Sequence, residues 1–259
     1  MQPTSDLYKE LLHRPHTKEV RVSIGDSGVL ITKQGEAITF GGVSILTGAT
    51  GASNAYGDNL LVSMQTTSSM FSKSTPSVGC CVSSEIHLCM LRPFSVIPRH
   101  ARIVPYVRLV SGDLKSEWLQ KGVFFLDTRE HTSDISGIEY MTLHGYDAML
   151  KAEVLYAGSK LDWPATDISV VREIAEAMGV SVDPRTTDLM TQAFDIQYPS
   201  GYTYRETLGF ISALYGGCFT MSDLGELRLV LLGDIPAETR YLVDNNRVPI
   251  TFGGDRILV

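Results

Sequence analysis

The stretch Glu85-Ile-His-Leu-Cys-Met-Leu91 decides the fold, because polar and apolar side chains alternate in it from Glu85 to Met90. An extended strand places successive side chains on opposite faces, so this alternation predicts a strand with one buried face. The apolar face consists of Ile86, Leu88 and Met90. Glu85, His87 and Cys89 share the other face, so the strand is expected to be half-buried.

Four more segments have the composition of strands, and no helical periodicity separates them. They are residues 20–24, 102–110, 122–126 and 137–143, and a turn after residue 24 predicts a further short strand at 29–31. Such a succession favours an antiparallel sheet or a barrel. Pro105 lacks a backbone donor, which predicts that its strand lies toward a sheet edge. The charged residues 129–134 are expected to form a loop.

The spacing of the apolar residues becomes helical after residue 147. It predicts a short helix over 147–154 and a longer one that begins after Thr166 or Asp167. Gly179 stands where a C-cap glycine belongs. The apolar face of the longer helix consists of Ile168, Val171, Ile174, Ala175 and Met178. A short helical turn is also predicted over residues 5–14.

Thr203 and Glu206 predict a third helix start, because in a capping box each side chain satisfies a free backbone N–H. The helix behind them is expected to end at Gly216 and to bury Leu208, Ile211, Leu214 and Tyr215. A hairpin follows, with strands at 218–222 and 226–232. These elements predict a small α+β unit in the second half, with a boundary near residues 150–165.

Composition and charge exclude several classes of protein. The 259-residue chain has 44% hydrophobic residues and a net charge of −7, so it can bury a core and is too apolar for disorder. Binding to a nucleic-acid phosphate backbone requires many Lys and Arg contacts, so this acidic chain is a poor candidate for nucleic-acid binding. No apolar run suits a secretory signal or a membrane span, so no stable membrane insertion is expected. The four cysteines are Cys80, Cys81, Cys89 and Cys218. Their spacing is not that of a disulfide framework, which favours a reduced intracellular compartment.

Residues 37–84 form an unusual stretch, in which Asp58 and Lys73 are the charged side chains. It favours either Ser- and Thr-rich strands with long loops or a loop that becomes ordered on a partner. Within it, ITFGGVSIL at 38–46 is echoed by ITFGGDRIL at 250–258. The echo fits two copies of one structural element, and a Gly-Gly bend that arose twice by chance fits it as well.

Candidates for catalysis are few. The GATGAS segment at 48–53 lacks the Lys that a phosphate loop places before its Ser or Thr, and Lys73 is the next one along. His144 and Asp147 lie at a strand-to-helix junction, where a structural hydrogen bond is favoured over catalysis. The one dense polar cluster is expected to be a solvated loop tip, and it consists of Arg129, Glu130, His131 and Asp134.

Thiol and metal chemistry are equally weak in the sequence. His87 and Cys89 share a strand face, so a nucleophile–base pair is sterically conceivable there. Cys218 follows two glycines and is expected to pack as a small apolar residue. Cys80, Cys81, Cys89 and His87 are zinc-binding types without usual zinc spacing. The residues alone therefore indicate no catalytic, cofactor-binding or metal site.

Ordered blocks from Ser77 to about Val230 resemble tail proteins encoded by phages and prophages of Gram-positive bacteria. In particular they resemble the N-terminal hub region of the tail-tip, or baseplate hub, protein. The blocks LHGYDAMLKAE and YPSGYTYRETLG carry most of the resemblance. Segment 35–76 shows the least similarity to the hub proteins. The other blocks are SVGCCVSSEIHLCM, IPRHARIVPYVRL, KGVFFLDTRE, WPATDISVVREIAEAMGV, ISALYGGCF and MSDLGELRLVLL.

This resemblance implies a β-rich α+β fold similar to contractile-phage baseplate hubs and to the spike base of type VI secretion systems. In such trimers, two related barrel-like tube domains per subunit form a pseudo-hexameric ring, which an α+β domain decorates. The resemblance implies a tube domain over 1–150 and an α+β domain over 151–240. Residues 241–259 would begin a second, truncated tube domain, and the ITFGG echo would lie in both tube domains.

The function implied is mechanical, with no catalytic residue and no cofactor. A homotrimeric ring would join the six-fold tail tube to the tail tip and pass DNA and the tape-measure protein through its lumen. Expected partners are the distal tail protein or tail-tube ring, the tape-measure protein and tail-tip or receptor-binding proteins, with DNA only passing by. The expected location is the virion's tail tip or baseplate, after assembly in the host bacterial cytoplasm.

Two other functions stay open. A host-receptor or carbohydrate-binding module would use Tyr198, Tyr202 and Tyr204 to stack on sugars. A cell-wall peptidase or other hydrolase would use a Cys/His pair. Saturable glycan binding would favour the first function, and activity lost on changing one Cys or His would favour the second.

Overall fold

The structure is a computed structural model that describes residues 3–25, 55–57, 59–93, 97 and 100–233. Elsewhere, three short strand pairs are described by backbone pairing alone. They are Gly28–Val29 with Leu46–Thr47, Thr39–Phe40 with Val43–Ser44, and Thr251–Phe252 with Asp255–Arg256. The predictions for residues 30–31, for the GATGAS segment and for most of 241–259 fall outside the described residues.

A large antiparallel sheet follows the short helix α1 (Asp6–Leu12). Its strands are β1 (Thr17–Ile24), β2 (Ala55–Tyr56), β3 (Leu61–Thr67), β4 (Glu85–Leu91), β5 (Arg102–Ser111), β6 (Leu114–Lys115), β7 (Leu119–Gln120), β8 (Phe124–Ser133) and β9 (Glu139–Asp147). Their order is β2-β1-β5-β8-β9-β4-β3, with β6 and β7 paired to β5. The prediction of an antiparallel sheet is therefore confirmed.

The alternation in β4 places its apolar side chains in the core of the sheet. Ile86, Leu88 and Met90 are at most 1% exposed, whereas the residues between them are at least partly exposed. Burying a Leu or Ile side chain contributes about 1.5–3 kcal/mol, so this face holds the strand in register. The remaining core residues come mainly from neighbouring strands, and they include Val22, Ile24, Ile103, Phe124, Leu126, Met141 and Leu143.

Two expectations for the sheet are wrong. Strand β5, which contains Pro105, lies inside the sheet between β1 and β8 rather than toward an edge. The Pro105 carbonyl accepts from the backbone N–H of Lys121, so the missing N–H of Pro105 points to the same side. On that side of β5, strand β7 ends at Gln120 and strand β8 begins at Phe124. The missing N–H of Pro105 therefore costs no inter-strand hydrogen bond.

The segment expected to be a charged loop belongs largely to strand β8. Residues 129–133 pair with residues 139–143 of β9, and only the tip at 134–138 is a turn. The β8 side chains from Asp127 to Ser133 are all exposed, although Met141 and Leu143 of the facing strand are buried in the core. A strand whose side chains are exposed on both faces carries none of the alternation that identifies a half-buried strand.

The second half of the described chain is an α+β unit. Its elements are a 3₁₀ helix (Ala148–Glu153), β10 (Ala165–Thr166), α2 (Asp167–Met178), α3 (Pro184–Leu189), β11 (Asp195–Ile196), α4 (Tyr204–Leu214), β12 (Gly217–Met221) and β13 (Leu227–Leu231). Strand β10 pairs with β11, and β12 pairs with β13. The predicted helices and hairpin are all present. Among the described helices, none combines the length and the apolar character that crossing a bilayer requires.

The helix ends follow the local sequence signals. Gly179 ends α2 in the left-handed conformation at φ 71°, and Thr203 with Glu206 forms the capping box of α4. The predicted buried face of α4 is only partly correct, because Leu208 and Ile211 are buried but Leu214 is 52% exposed. Leu214 lies in the last turn of α4, where the described residues leave about half of its side chain exposed.

A second core fills the α+β unit and reaches the loop before β4. Its buried members include Cys81, Met149, Val171, Ile174, Met178, Leu208, Ile211, Phe219, Leu227 and Leu229. The Arg205 guanidinium of α4 donates to the carbonyl of Cys81, to Ser83 Oγ at 3.1 Å and to the Met149 carbonyl at 2.9 Å. One side chain thus holds α4, the 3₁₀ helix and the loop before β4 together.

We expect Thr203→Ala to lower the free energy of unfolding by about 1 kcal/mol, because the Thr203 hydroxyl accepts from the Glu206 backbone N–H. Thr166→Ala is the matched control. Thr166 is the N-cap of α2, but its hydroxyl makes no capping bond to the helix backbone. Urea unfolding of both variants measures the difference, and an equal loss in the two would contradict this account of the cap.

Candidate functional site

The outer face of the sheet, opposite its core, brings together a cluster of three ionisable side chains. The pairing of β4 with β9 places His87 directly opposite His144, and their rings stack with centroids 4.0 Å apart and planes 14° apart. Glu85 lies two residues before His87 on the same face of β4. Its Oε2 is 3.6 Å from His87 Nε2 and 3.5 Å from His144 Nε2. We call Glu85, His87 and His144 the outer-face cluster.

The outer-face cluster is accessible at one end and buried at the other. The Glu85 and His87 side chains are 42% and 49% exposed, and that of His144 is 21% exposed. His144 Nε2 itself is buried and has no hydrogen-bond partner among the described residues. The ring of Tyr146 packs edge-on against His144 at 4.7 Å. Within the described part of the chain, this is the one group of three or more His, Cys, Asp or Glu whose ligand atoms converge.

The structural hydrogen bond expected at the junction of His144 and Asp147 is formed by Asp147 without His144. The two residues are an odd number of positions apart on β9, so their side chains point to opposite faces. Asp147 Oδ2 accepts from the Ser84 backbone N–H at 2.8 Å, and Oδ1 accepts from that of Met149 at 2.9 Å. Asp147 thereby caps the 3₁₀ helix and fixes the loop before β4.

Burial shifts the pKa of the Asp147 carboxyl away from its ordinary value. The side chain lies between the two cores and is 3% exposed. Burial raises the pKa of Asp147 to about 6, although the two backbone donors and the charge of Arg205 oppose the shift. Asp147 therefore changes charge near neutral pH, in a position that affects stability.

The four thiols do not converge on a histidine base in the described structure. The described partners of His87 are Glu85 and His144, while Cys89 lies opposite Thr142. All four cysteines are free. Cys80 belongs to the loop before β4, where the Ser77 hydroxyl lies 3.1 Å from its Sγ and lowers the pKa of its thiol.

Cys81 and Cys218 are buried and packed. Burial raises the pKa of the Cys81 thiol to about 12, so it has little thiolate character. Cys218 Sγ donates to the Ser77 carbonyl at 3.3 Å from within the β12–β13 hairpin. This agrees with the expectation that Cys218 packs as a small apolar residue.

The polar cluster on the β8–β9 hairpin is solvent-exposed, as expected. Asp134 closes the turn, since its Oδ1 accepts from the Ser136 hydroxyl at 2.6 Å and from the backbone N–H of Ile138 at 3.0 Å. The hydrogen bond from the Ser136 side chain is the main cause that lowers the pKa of Asp134. Asp134 thus has a structural role in the turn, whereas Arg129, Glu130 and His131 lie on strand β8.

The tyrosines proposed for sugar stacking do not form one platform. Tyr198 and Tyr204 pack edge-on against Tyr156, with centroids 5.9 Å and 5.3 Å away. Tyr202 instead packs against Phe210 on α4. Tyr204 is partly buried and packs against the second core.

The two ITFGG segments form the same short hairpin. Thr39 and Phe40 pair with Ser44 and Val43 in the first copy. The second copy pairs Thr251 with Arg256 and Phe252 with Asp255 in the same register. Gly-Gly is a favoured two-residue hairpin loop, so the local sequence is sufficient to produce both.

Comparison with family models finds no match, and comparison with curated proteins finds none either. The fold resembles solved tail proteins. One is the 43 kDa tail protein of prophage MuSo2 from Shewanella oneidensis, at 14% identity and TM-score 0.47, covering 84% of this chain and 56% of that chain. Another is the tail protein from Neisseria meningitidis MC58, at 12% identity and TM-score 0.43, covering 90% and 54%. A Francisella PdpA–VgrG complex is similar at 10% identity and TM-score 0.42, covering 82% of this chain and 31% of that chain.

This chain therefore spans about half the length of the two solved tail proteins that it resembles. These structural neighbours are a prophage tail protein, a second tail protein and a VgrG-containing complex. At TM-scores below 0.5, the likeness carries no argument about what this chain does.

Asp147 gives a testable pH dependence. A carboxyl whose pKa is raised on folding stabilises the protein at low pH, and that stability is lost as the pH rises from about 4 through 6. The stability of the wild type relative to Asp147→Asn should thus fall by up to about 3 kcal/mol across this window. Asn loses one acceptor and lowers stability at every pH, so the change with pH is the relevant readout.

Urea unfolding at pH 4, 5, 6 and 7 measures this difference. Asp162→Asn, a change at an exposed carboxyl, is the control and should give a much smaller pH-dependent difference. A difference between wild type and Asp147→Asn that stays constant with pH would show that Asp147 ionises normally in the folded protein.

Proposed function

We propose that the chain is a structural component of a phage tail, the hub that joins the tail tube to the tail tip. The observation that carries the proposal is the set of sequence blocks from Ser77 to about Val230. These blocks resemble hub proteins in the same order along the chain. They supply β4, β5, β8, β9 and most of the α+β unit, and with them most of both cores.

The sheet has a property that a ring-forming subunit needs. Strand β3 is the last strand of the described sheet, and the described residues leave its outer edge unpaired. An unpaired edge presents backbone N–H and C=O groups to which a strand of another subunit can add. In the proposed homotrimer, β3 takes part in the pairing that closes the ring, and the sheet becomes part of a barrel-like tube domain.

The proposal divides the chain into a tube domain over 1–150, an α+β domain over 151–240 and the start of a second tube domain over 241–259. The two ITFGG hairpins would occupy equivalent places in the two tube domains. Partners would be the distal tail protein or tail-tube ring, the tape-measure protein and tail-tip or receptor-binding proteins. A net charge of −7 suits a lumen through which DNA passes without being held. The ring would assemble in the host cytoplasm and remain in the virion.

Cryo-electron microscopy of tails purified from a bacterium that produces this protein tests the proposal. We expect three copies of the sheet around a central lumen at the junction of tube and tip, with the α+β units outside. Density for the chain in a peripheral fibre, or tails that do not contain it, would contradict the hub. A peripheral position would favour the receptor- or carbohydrate-binding alternative.

A pair of variants tests the role of the β3 edge. Val62 is 56% exposed on β3, and Val62→Lys should reduce the yield of intact tails because a charge there disfavours edge-to-edge pairing. Ile135→Lys, at the fully exposed tip of the β8–β9 hairpin, should leave that yield unchanged. Circular dichroism of each isolated chain separates failed assembly from failed folding. Normal yield from a folded Val62→Lys chain would rule out the edge contact.

A further inference from the structure

We infer that the outer-face cluster of Glu85, His87 and His144 is a binding site for a divalent transition metal of the zinc class. The inference does not depend on the proposed tail function. It rests on the types of these side chains, on the distances between them and on the rigidity of the strands that carry them.

The ligand types select the class of metal. Two imidazoles and one carboxylate are the protein ligands of many three-ligand zinc sites. Imidazole suits zinc, copper, nickel and iron, whereas calcium and magnesium prefer oxygen ligands only. The cluster contains no thiol, so soft-metal thiolate chemistry is not involved.

The distances fit one shared ion. Ligand atoms about 2.0–2.1 Å from a tetrahedral zinc lie about 3.4 Å from each other. Glu85 Oε2 lies 3.6 Å from His87 Nε2 and 3.5 Å from His144 Nε2, close to that separation. One ligand atom from each residue lies within 4.8 Å of the other two. The rings of His87 and His144 stack with planes 14° apart, so both imidazoles must turn out of the stack before their nitrogen lone pairs point at one ion.

The backbone that carries these ligands is held on both sides. Strand β4 pairs with β3 at Gln65–His87 and with β9 at His87–His144. Strand β9 pairs in turn with β8 at Thr128–His144. The backbone of both strands is therefore ordered before the ion arrives, and binding requires reorientation of side chains only.

His144 supplies the second, independent sign of a ligand. Its Nε2 is buried and finds no hydrogen-bond partner in the described part of the chain, which is costly for a polar atom in a folded protein. Glu85 Oε2 is nearby, but the contact lacks hydrogen-bond geometry. A metal ion in the cluster would satisfy this nitrogen and would reach it from the side where Glu85 and His87 are exposed. Three protein ligands leave a fourth position for water.

Titration of the untagged chain with ZnCl₂, followed by calorimetry and by the thermal midpoint, tests the site. We expect saturable binding of one Zn²⁺ per chain and a rise in Tm, since an ion that binds the folded state stabilises it. MgCl₂ and CaCl₂ should give no comparable rise. Co²⁺ should bind with the visible spectrum of nitrogen and oxygen ligation and without the near-ultraviolet bands of thiolate ligation.

Variants assign the ion to its ligands. His144→Ala, His87→Ala and Glu85→Gln should each weaken Zn²⁺ binding at least about tenfold, because even outer-shell changes cost about 10–100-fold. His131→Ala, an exposed histidine on the β8–β9 hairpin, and Cys80→Ser, a thiol outside the cluster, should not change it. Glu85→Gln preserves size and keeps the test valid if a histidine variant unfolds.

The absence of one-to-one Zn²⁺ binding would overturn the inference. So would affinity that is unchanged in all three cluster variants, or a Co²⁺ spectrum dominated by thiolate bands. None of these results would affect the hub proposal, which is tested by the position of the chain in the tail.

Discussion

The pairing of β4 with β9 is the interaction on which the rest of the structure depends. Seven consecutive residue pairs run from Leu91–Tyr140 to Glu85–Tyr146. A slip of one residue would turn the apolar side chains of β4 out of the core, so the hydrophobic face fixes the register. The same register sets His87 against His144 and brings Asp147 to Ser84, where the α+β unit begins. Core, candidate site and the connection to the second half all follow from it.

Features that depend on neighbouring residues could be predicted from the sequence. The alternation of β4, the Gly179 cap and the Thr203–Glu206 capping box are local, and the structure confirms them. Features that depend on the partner strand or the packing around a helix could not be predicted. Pro105 lies inside the sheet because the facing ladder is interrupted there, and Leu214 is exposed although it follows the buried Ile211 by three residues.

Only part of the candidate site could be predicted from the sequence. Strand periodicity predicts that Glu85 and His87 share a face, but nothing local indicates which distant residue lies opposite them. His144 is identified only through the register of β9, and its proximity to Asp147 in the sequence was misleading because the two side chains point to opposite faces. A Glu-x-His segment on one predicted strand and a histidine on another would be the signal to seek. The proposed hub function is mechanical and needs no such site, so the outer-face cluster would add a metal ion to a structural protein.

The register of β4 against β9 is tested most directly by a cross-strand disulfide between native Cys89 and a Thr142→Cys substitution. Directly opposite residues in an antiparallel pair have Cα atoms about 4.5–5.5 Å apart, within the range that a disulfide spans. We predict that mild oxidation links positions 89 and 142, as peptide mapping would show. Tyr140→Cys, two residues along β9 and opposite Leu91, should not link to Cys89. A link from position 140 but not from 142 would contradict the register, and with it the placement of His144 beside His87.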